Sequence, residues 1–88
     1  MNALISIDVT SLDGLGVGVK ARIIDIDWEK LGEVEGRRLR NFGFDQDVVV
    51  ELLHLGPFGR DPIAIRVGRM TVAIRRKHAA AVRAQPIR

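Results

Sequence analysis

The sequence predicts a mainly β protein, a few short strands curled into a small, partly open barrel with one short helix between them. Three observations carry this. Residues 63–75 spell out an antiparallel hairpin, I-A-I-R-V then Gly68-Arg69 then M-T-V-A-I-R. Two further runs, 19–27 and 48–55, are rich in β-branched and aliphatic residues. Between them, residues 28–42 switch to a three- and four-residue apolar spacing. Several short strands in 88 residues cannot build two full sheets. Curling one sheet into a partly open barrel also shields strand edges.

Taken in chain order, residues 1–10 alternate in part through Ile5, Ile7 and Val9, as an N-terminal extension or an edge strand. Ser11 to Gly18 holds three glycines and reads as loop, with Leu12 and Leu15 as core plugs. Val19 to Asp27 is strand-like through Val19, Ile23, Ile24 and Ile26. From Trp28 the apolar positions Leu31, Val34, Leu39 and Phe42 fall at helical spacing, and Gly43 suits a left-handed C-terminal stop. Gly36 costs a helix about 1 kcal/mol relative to alanine. The regular helix is therefore expected to start near Gly36 and to centre on Arg37 to Asn41.

Asp45-Gln46-Asp47 reads as a turn. The near-continuous apolar run from Val48 to Leu55 predicts a strand buried on both faces. Gly56 to Pro62 is a loop, with Pro57 and Gly59 placed for a type I turn. The hairpin follows. Glycine at its first central position is the mark of a type II′ turn. That turn sets Val67 against Met70, Ile65 against Val72 and Ile63 against Ile74, six apolar residues on one face. The other face carries Ala64 opposite Ala73 and Arg66 opposite Thr71. Arg76 to Arg83 suits one helical or 3₁₀ turn, and the tail a last short strand ending at Pro86.

Composition bounds the function. The chain is one small domain, burying about 60–65% of its unfolded surface. It has no cysteine, so disulfides and thiolate metal sites are excluded, and a reducing cytosol fits. The N-terminus lacks a basic region and is interrupted by Asp8, so it does not read as a signal peptide. No apolar run approaches the roughly 20 residues that span a bilayer. The expectation is a soluble, cytoplasmic protein whose membrane role, if any, comes through a partner. The net charge of +3 divides unevenly. Residues 1–35 hold three basic and seven acidic groups, and residues 36–88 eleven basic and four acidic. A basic half suits nucleic acid, an anionic surface or an acidic protein, and equally an ordinary solvated surface.

Four segments in order carry a family resemblance: S-L-D-G-L-G-V-G, R-R-L-R-N-F-G-F, G-P-F-G-R-D-P and V-A-I-R-R-K-H-A-A-A-V. Together they resemble the ferrous iron transport protein A family, FeoA, over residues 11–85, with 86–88 as a tail. The resemblance implies an SH3-like barrel with a short helix inserted between the first two barrel strands. It also implies a small cytosolic accessory of FeoB, the membrane ferrous iron transporter with a cytosolic GTPase domain. The same module ends metal-dependent repressors, but no helix-turn-helix precedes it here, which suits the free-standing form. The chain departs from the family at Phe42-Gly43-Phe44, where leucines flank the glycine, and at Gln46-Asp47, where Pro-Gly is usual.

The chemistry-bearing residues point away from catalysis. His54 and His78 are the two histidines, and neither has a third ligand at metal-binding spacing, so no metal site and no cofactor is expected. Asp25-x-Asp27 and Asp45-x-Asp47 lack a partner base or nucleophile. There is no G-x-x-x-x-G-K-[ST] phosphate loop. The chain is thus expected not to be an enzyme. Phe58, at a Gly- and Pro-flanked loop tip beside Arg60, has two readings: a plug over the open barrel end, or an anchor for a partner. Arg37, Arg38 and Arg40 on the helix, and Arg75, Arg76 and Lys77 after the hairpin, suit either one basic face or a solvated surface.

The candidate partner-binding set is Arg37, Arg38, Arg40, Phe44, Phe58, Arg60, Arg75 and Arg76, with the FeoB-type GTPase domain as the partner that the resemblance implies. Two alternatives are a small basic barrel that binds nucleic acid and a metal-responsive module that self-associates. Few aromatic residues are present for base stacking, so nucleic acid is not the expected partner.

Overall fold

The computed structural model describes residues 9–87. The reading of 1–10 as extension or edge strand therefore falls mostly outside the described residues. The elements run β1 (Thr10–Ser11), a 3₁₀ turn (Leu12–Gly14), β2 (Lys20–Ile26), α1 (Trp28–Phe42), β3 (Val49–Leu55), β4 (Ile63–Val67), β5 (Met70–Ile74), α2 (Arg76–Ala79) and β6 (Val82–Pro86). Among the described residues six strands form one antiparallel sheet in the order β1-β6-β2-β3-β4-β5, and they do not close the barrel. The C-terminal strand is an interior strand, lying between β1 and β2.

The hairpin has the register the turn dictates, from Val67 against Met70 to Ile63 against Ile74. Gly68 has φ 59° and Arg69 is not left-handed, which distinguishes type II′ from type I′. Five of the six inward residues are buried. The exception is Met70, 44% exposed beside the turn. β3 corrects the expectation of two buried faces. Val50 and Leu52 are buried, but Val49, on the alternate face, is exposed. One layer of sheet covers one core, so only the inward face is dry. A register shift between Leu52 and His54 then sets His54 opposite Ala64 on the outer face.

Helix α1 also differs from the expectation. It begins at Trp28, because the Asp27 carboxylate accepts the Lys30 N–H at 3.0 Å and caps it. The break lies at Gly32, which is left-handed at φ 84°, and not at Gly36. Gly36 is buried inside the helix, where a Cβ would stand 3.6 Å from the Trp28 ring. That is an ordinary van der Waals distance, so an alanine would also fit beside the ring. At the other end Gly43 is left-handed as expected. Phe44 N–H donates to Leu39 O at 3.0 Å and Gly43 N–H to Arg40 O at 2.9 Å, a Schellman closure. That closure carries an apolar contact between the residue after the stop and the last helical turn. Phe44 and Leu39 are both buried in the core.

The core joins Leu12, Leu15, Ile23, Leu39, Phe44, Leu52, Ile63, Ile65, Ile74 and Val82. The two loop leucines plug it, as expected from sequence. The turn into β3 closes through Val48 N–H to Asp45 O at 3.3 Å. Asp47 is left-handed at φ 72°, the third position of a type II turn. This is where the family's Pro-Gly is replaced, and aspartate is among the few residues that tolerate the conformation.

Candidate partner-binding surface

The loop from Gly56 to Pro62 is held from three sides. A Cβ at Gly56 would meet Pro62 O at 2.3 Å, so the two ends of the loop touch through this glycine. The Asp61–Pro62 peptide is cis. Arg76 ties the loop down: its backbone N–H donates to Asp61 Oδ1 at 3.0 Å and its Nη1 to Gly59 O at 3.4 Å. Its Nη2 lies 3.7 Å from Asp13 Oδ2, which couples the loop to the 3₁₀ turn. Gly59 and Arg60 are both left-handed, and Arg60 is a strained choice there.

Phe58 sits at the tip of this loop, 82% exposed. It does not fold over the barrel end, and the plug reading is overturned, since Leu12, Leu15 and Phe44 already fill the interior. Arg60 and Arg75 are exposed. Arg75 shares a shallow hollow of about 260 Å³ with Phe58, Asp61 and Pro62. So Phe58, Arg60, Arg75 and Arg76 come together, with Arg76 serving the loop's shape.

The helix residues divide. Arg37 is exposed. Arg38 braces α1 to the edge strand: Nη1 meets Glu35 Oε2 at 2.7 Å, Nη2 donates to Ala73 O at 3.1 Å, and the guanidinium lies 5.0 Å from the Phe42 ring centre. Arg40 stacks on Trp28 at 4.0 Å. Phe44 is only 1% exposed and is a core residue, so it leaves the candidate surface. Its place after a glycine stop was the signal, because that position packs back onto the helix. The single basic face does not form as such, since Arg38, Arg40 and Arg76 are each engaged within the molecule.

Sequence reasoning missed three pairings. Arg40 on Trp28 is one. Arg83 grips Asp25 through two hydrogen bonds of 2.9 and 2.6 Å, and Asp25 sits directly opposite it in the β2–β6 register. Those bonds hold the Asp25 carboxyl below its ordinary value and raise the Arg83 guanidinium. His78 Nδ1 lies 3.3 Å from Glu35 Oε2 at the junction of α1 and α2 without hydrogen-bond alignment. Among the described residues no three His, Asp or Glu side chains converge as a metal site. No helix there is long and apolar enough to cross a membrane.

The comparisons agree with this architecture. No curated protein matches the sequence significantly. Among solved structures, iron(II) transport protein A from Clostridium thermocellum superposes with a TM-score of 0.78 at 24% identity, over 89% of this chain and 46% of that one. The FeoA protein from Chlorobium tepidum gives 0.76 at 24% identity, over 90% and 71%. Stenotrophomonas maltophilia FeoA, solved with zinc and described as a prokaryotic SH3 domain protein, gives 0.69 at 28% identity, over 83% and 86%. These likenesses make the open sheet an SH3-like fold. The model of the FeoA domain matches residues 10–86, nearly the whole chain, and the protein therefore belongs to the FeoA family, which is associated with ferrous iron transport.

Proposed function

We propose that this chain is a non-enzymatic accessory of ferrous iron uptake. It docks on the cytosolic GTPase domain of an FeoB-type transporter, on the cytoplasmic side, and modulates it. The observation that carries the reading is Phe58. A large aromatic ring stands 82% exposed on a loop that Gly56 and Arg76 hold in place. Exposing it costs hydrophobic stabilisation, about 1.5–3 kcal/mol relative to burial. A partner that covers it recovers that term, and a pre-shaped loop loses little entropy on docking. Aromatic and arginine residues are the types that dominate interface energies, and Arg60 and Arg75 flank it. Arg37, exposed on α1, is a further candidate contact.

Membership of the FeoA family supports the choice of partner. Nucleic acid is a poorer occupant. Three of the guanidinium groups that would meet phosphate are engaged, Arg38 with Glu35, Arg40 with Trp28 and Arg76 with the Gly59 carbonyl, and Phe58 alone offers a ring for stacking at this loop. The direct experiment is a pull-down with the immobilised GTPase domain. Retention of the wild-type chain, and its loss in Phe58→Ala, is the expected result. Equal retention of both would remove the loop from the docking surface, and no retention of either would contradict the reading.

A further inference from the structure

The outer face of the hairpin is built differently from the rest of the sheet. Ala64 and Ala73 are directly opposed across β4 and β5, two small side chains where the neighbouring pair is Arg66 and Thr71. They floor an apolar trough of about 190 Å³, walled by His54, Leu55, Pro57 and Pro62. Pro62 also borders the hollow that Phe58 and Arg75 share, so the two depressions are neighbours. Each is smaller than the 300–1,000 Å³ or so typical of small-molecule pockets. Their size and open form suit side chains of an extended segment crossing the face.

The charge of this face is basic at the Phe58 end, around Arg75, while at the far end Glu51 stands opposite Arg66 in the β3–β4 register. Arg60, Arg66 and Arg75 are exposed and have no ion-pair partner among the described residues. Asp61, the one acid at the hollow, already accepts the Arg76 backbone N–H. The trough itself offers mostly carbon. A segment that matches it is apolar over the trough and acidic where it meets Arg75.

We propose that this trough receives an extended acidic segment of the protein partner, with one apolar side chain over Ala64 and Ala73 and a carboxylate on Arg75. This rests on the docking reading and specifies the segment that docks. The backbone edge of β5 is a poorer site for an added strand, because Ala73 O is already taken by Arg38.

The test is NMR titration of the ¹⁵N-labelled full chain. The probe is the blocked peptide Asp-Glu-Leu-Ala-Leu-Asp-Glu, beside its lysine counterpart and an oligothymidylate. The expected result is a Kd below about 1 mM for the acidic peptide alone, with shifts confined to amides 54–64 and 71–76. Arg75→Glu should weaken it about fivefold or more, as should raising the salt. Ala73→Leu, a change at an exposed position that fills the trough, should do the same, whereas Lys30→Glu on α1 should have no effect. No acidic-peptide binding, shifts elsewhere, or equal binding of the lysine peptide would overturn the proposal, and tighter oligothymidylate binding at these amides would replace it with nucleic acid. Titrating the GTPase domain against the same variants separates the two readings. Binding that ignores Arg75→Glu and Ala73→Leu leaves docking standing and removes the trough, while peptide binding without domain binding does the reverse.

Discussion

Gly56→Ala is the substitution whose cost the structure sets most directly. The added Cβ would lie 2.3 Å from Pro62 O and 2.7 Å from both Asp61 C and Asp61 O. An ordinary carbon–oxygen contact is about 3.3 Å, so the overlap is about 1 Å. All three facing atoms are backbone and cannot rotate aside. The loop ends must part, which strains the Arg76 N–H to Asp61 bond that holds them. Forced overpacking of this kind costs about 3 kcal/mol. For a domain of this size that lowers Tm by roughly 15 °C. Gly59→Ala is the control in the same loop: its φ is +66° but no atom lies within 4 Å of the new Cβ, so its cost is conformational, about 1 kcal/mol. Urea unfolding followed by Trp28 fluorescence reads both, since the indole packs on the core. A loss of under about 1 kcal/mol for Gly56→Ala, or a larger loss for Gly59→Ala, would refute the reasoning.

The two phenylalanines should separate stability from binding. Phe44→Ala should cost about 3–5 kcal/mol in urea unfolding, because it empties a core site. Phe58→Ala should leave stability within about 0.5 kcal/mol. Asp47→Gly should stabilise the chain by about 0.5 kcal/mol, relief of a left-handed aspartate exceeding the entropy glycine adds to the unfolded state, and a lower Tm would count against this. The Asp25 carboxyl titrates below 3.8 when folded because Arg83 hydrogen bonds favour its charged form. Its contribution is therefore full above the unfolded value and is lost as pH falls through the depressed folded value. Asp25→Asn should flatten the acid limb of the stability curve there, and an unchanged limb measured by thermal melts would exclude the pair's contribution.

What could be read from the residues followed from local rules. The Gly68-Arg69 turn fixed the hairpin register, and a single left-handed φ at Gly68 is the physical reason. Gly43 ended α1 for the same kind of reason. Asp27 reads as the end of a strand, although its carboxylate starts α1 as a cap, and Gly36 draws attention as a helix breaker. Gly36 instead lies inside the helix beside the Trp28 ring, and the positive φ that breaks the helix falls at Gly32. The apolar run of β3 looked doubly buried because composition does not tell how many layers a sheet has. The site was legible as residue types and not as contacts. Phe58 was singled out, but whether its ring turns in or out depends on which other residues fill the core. The Arg38–Glu35 pair has a local i, i+3 spacing, whereas the contacts of Arg38 with Ala73, Arg40 with Trp28 and Arg76 with Gly59 join residues distant in sequence. The trough was foreshadowed by Ala64 facing Ala73, although the proline walls that complete it come from another segment.

The central claim is docking through the Phe58 loop, and one paired measurement tests it: calorimetric titration of the wild-type chain and of Phe58→Ala into the cytosolic GTPase domain of an FeoB-type transporter. The account predicts saturable binding by the wild type and a loss of about 1 kcal/mol or more, at least fivefold in Kd, for the variant. Wild-type binding that is absent up to several hundred micromolar, or unchanged by removing the ring, would contradict it.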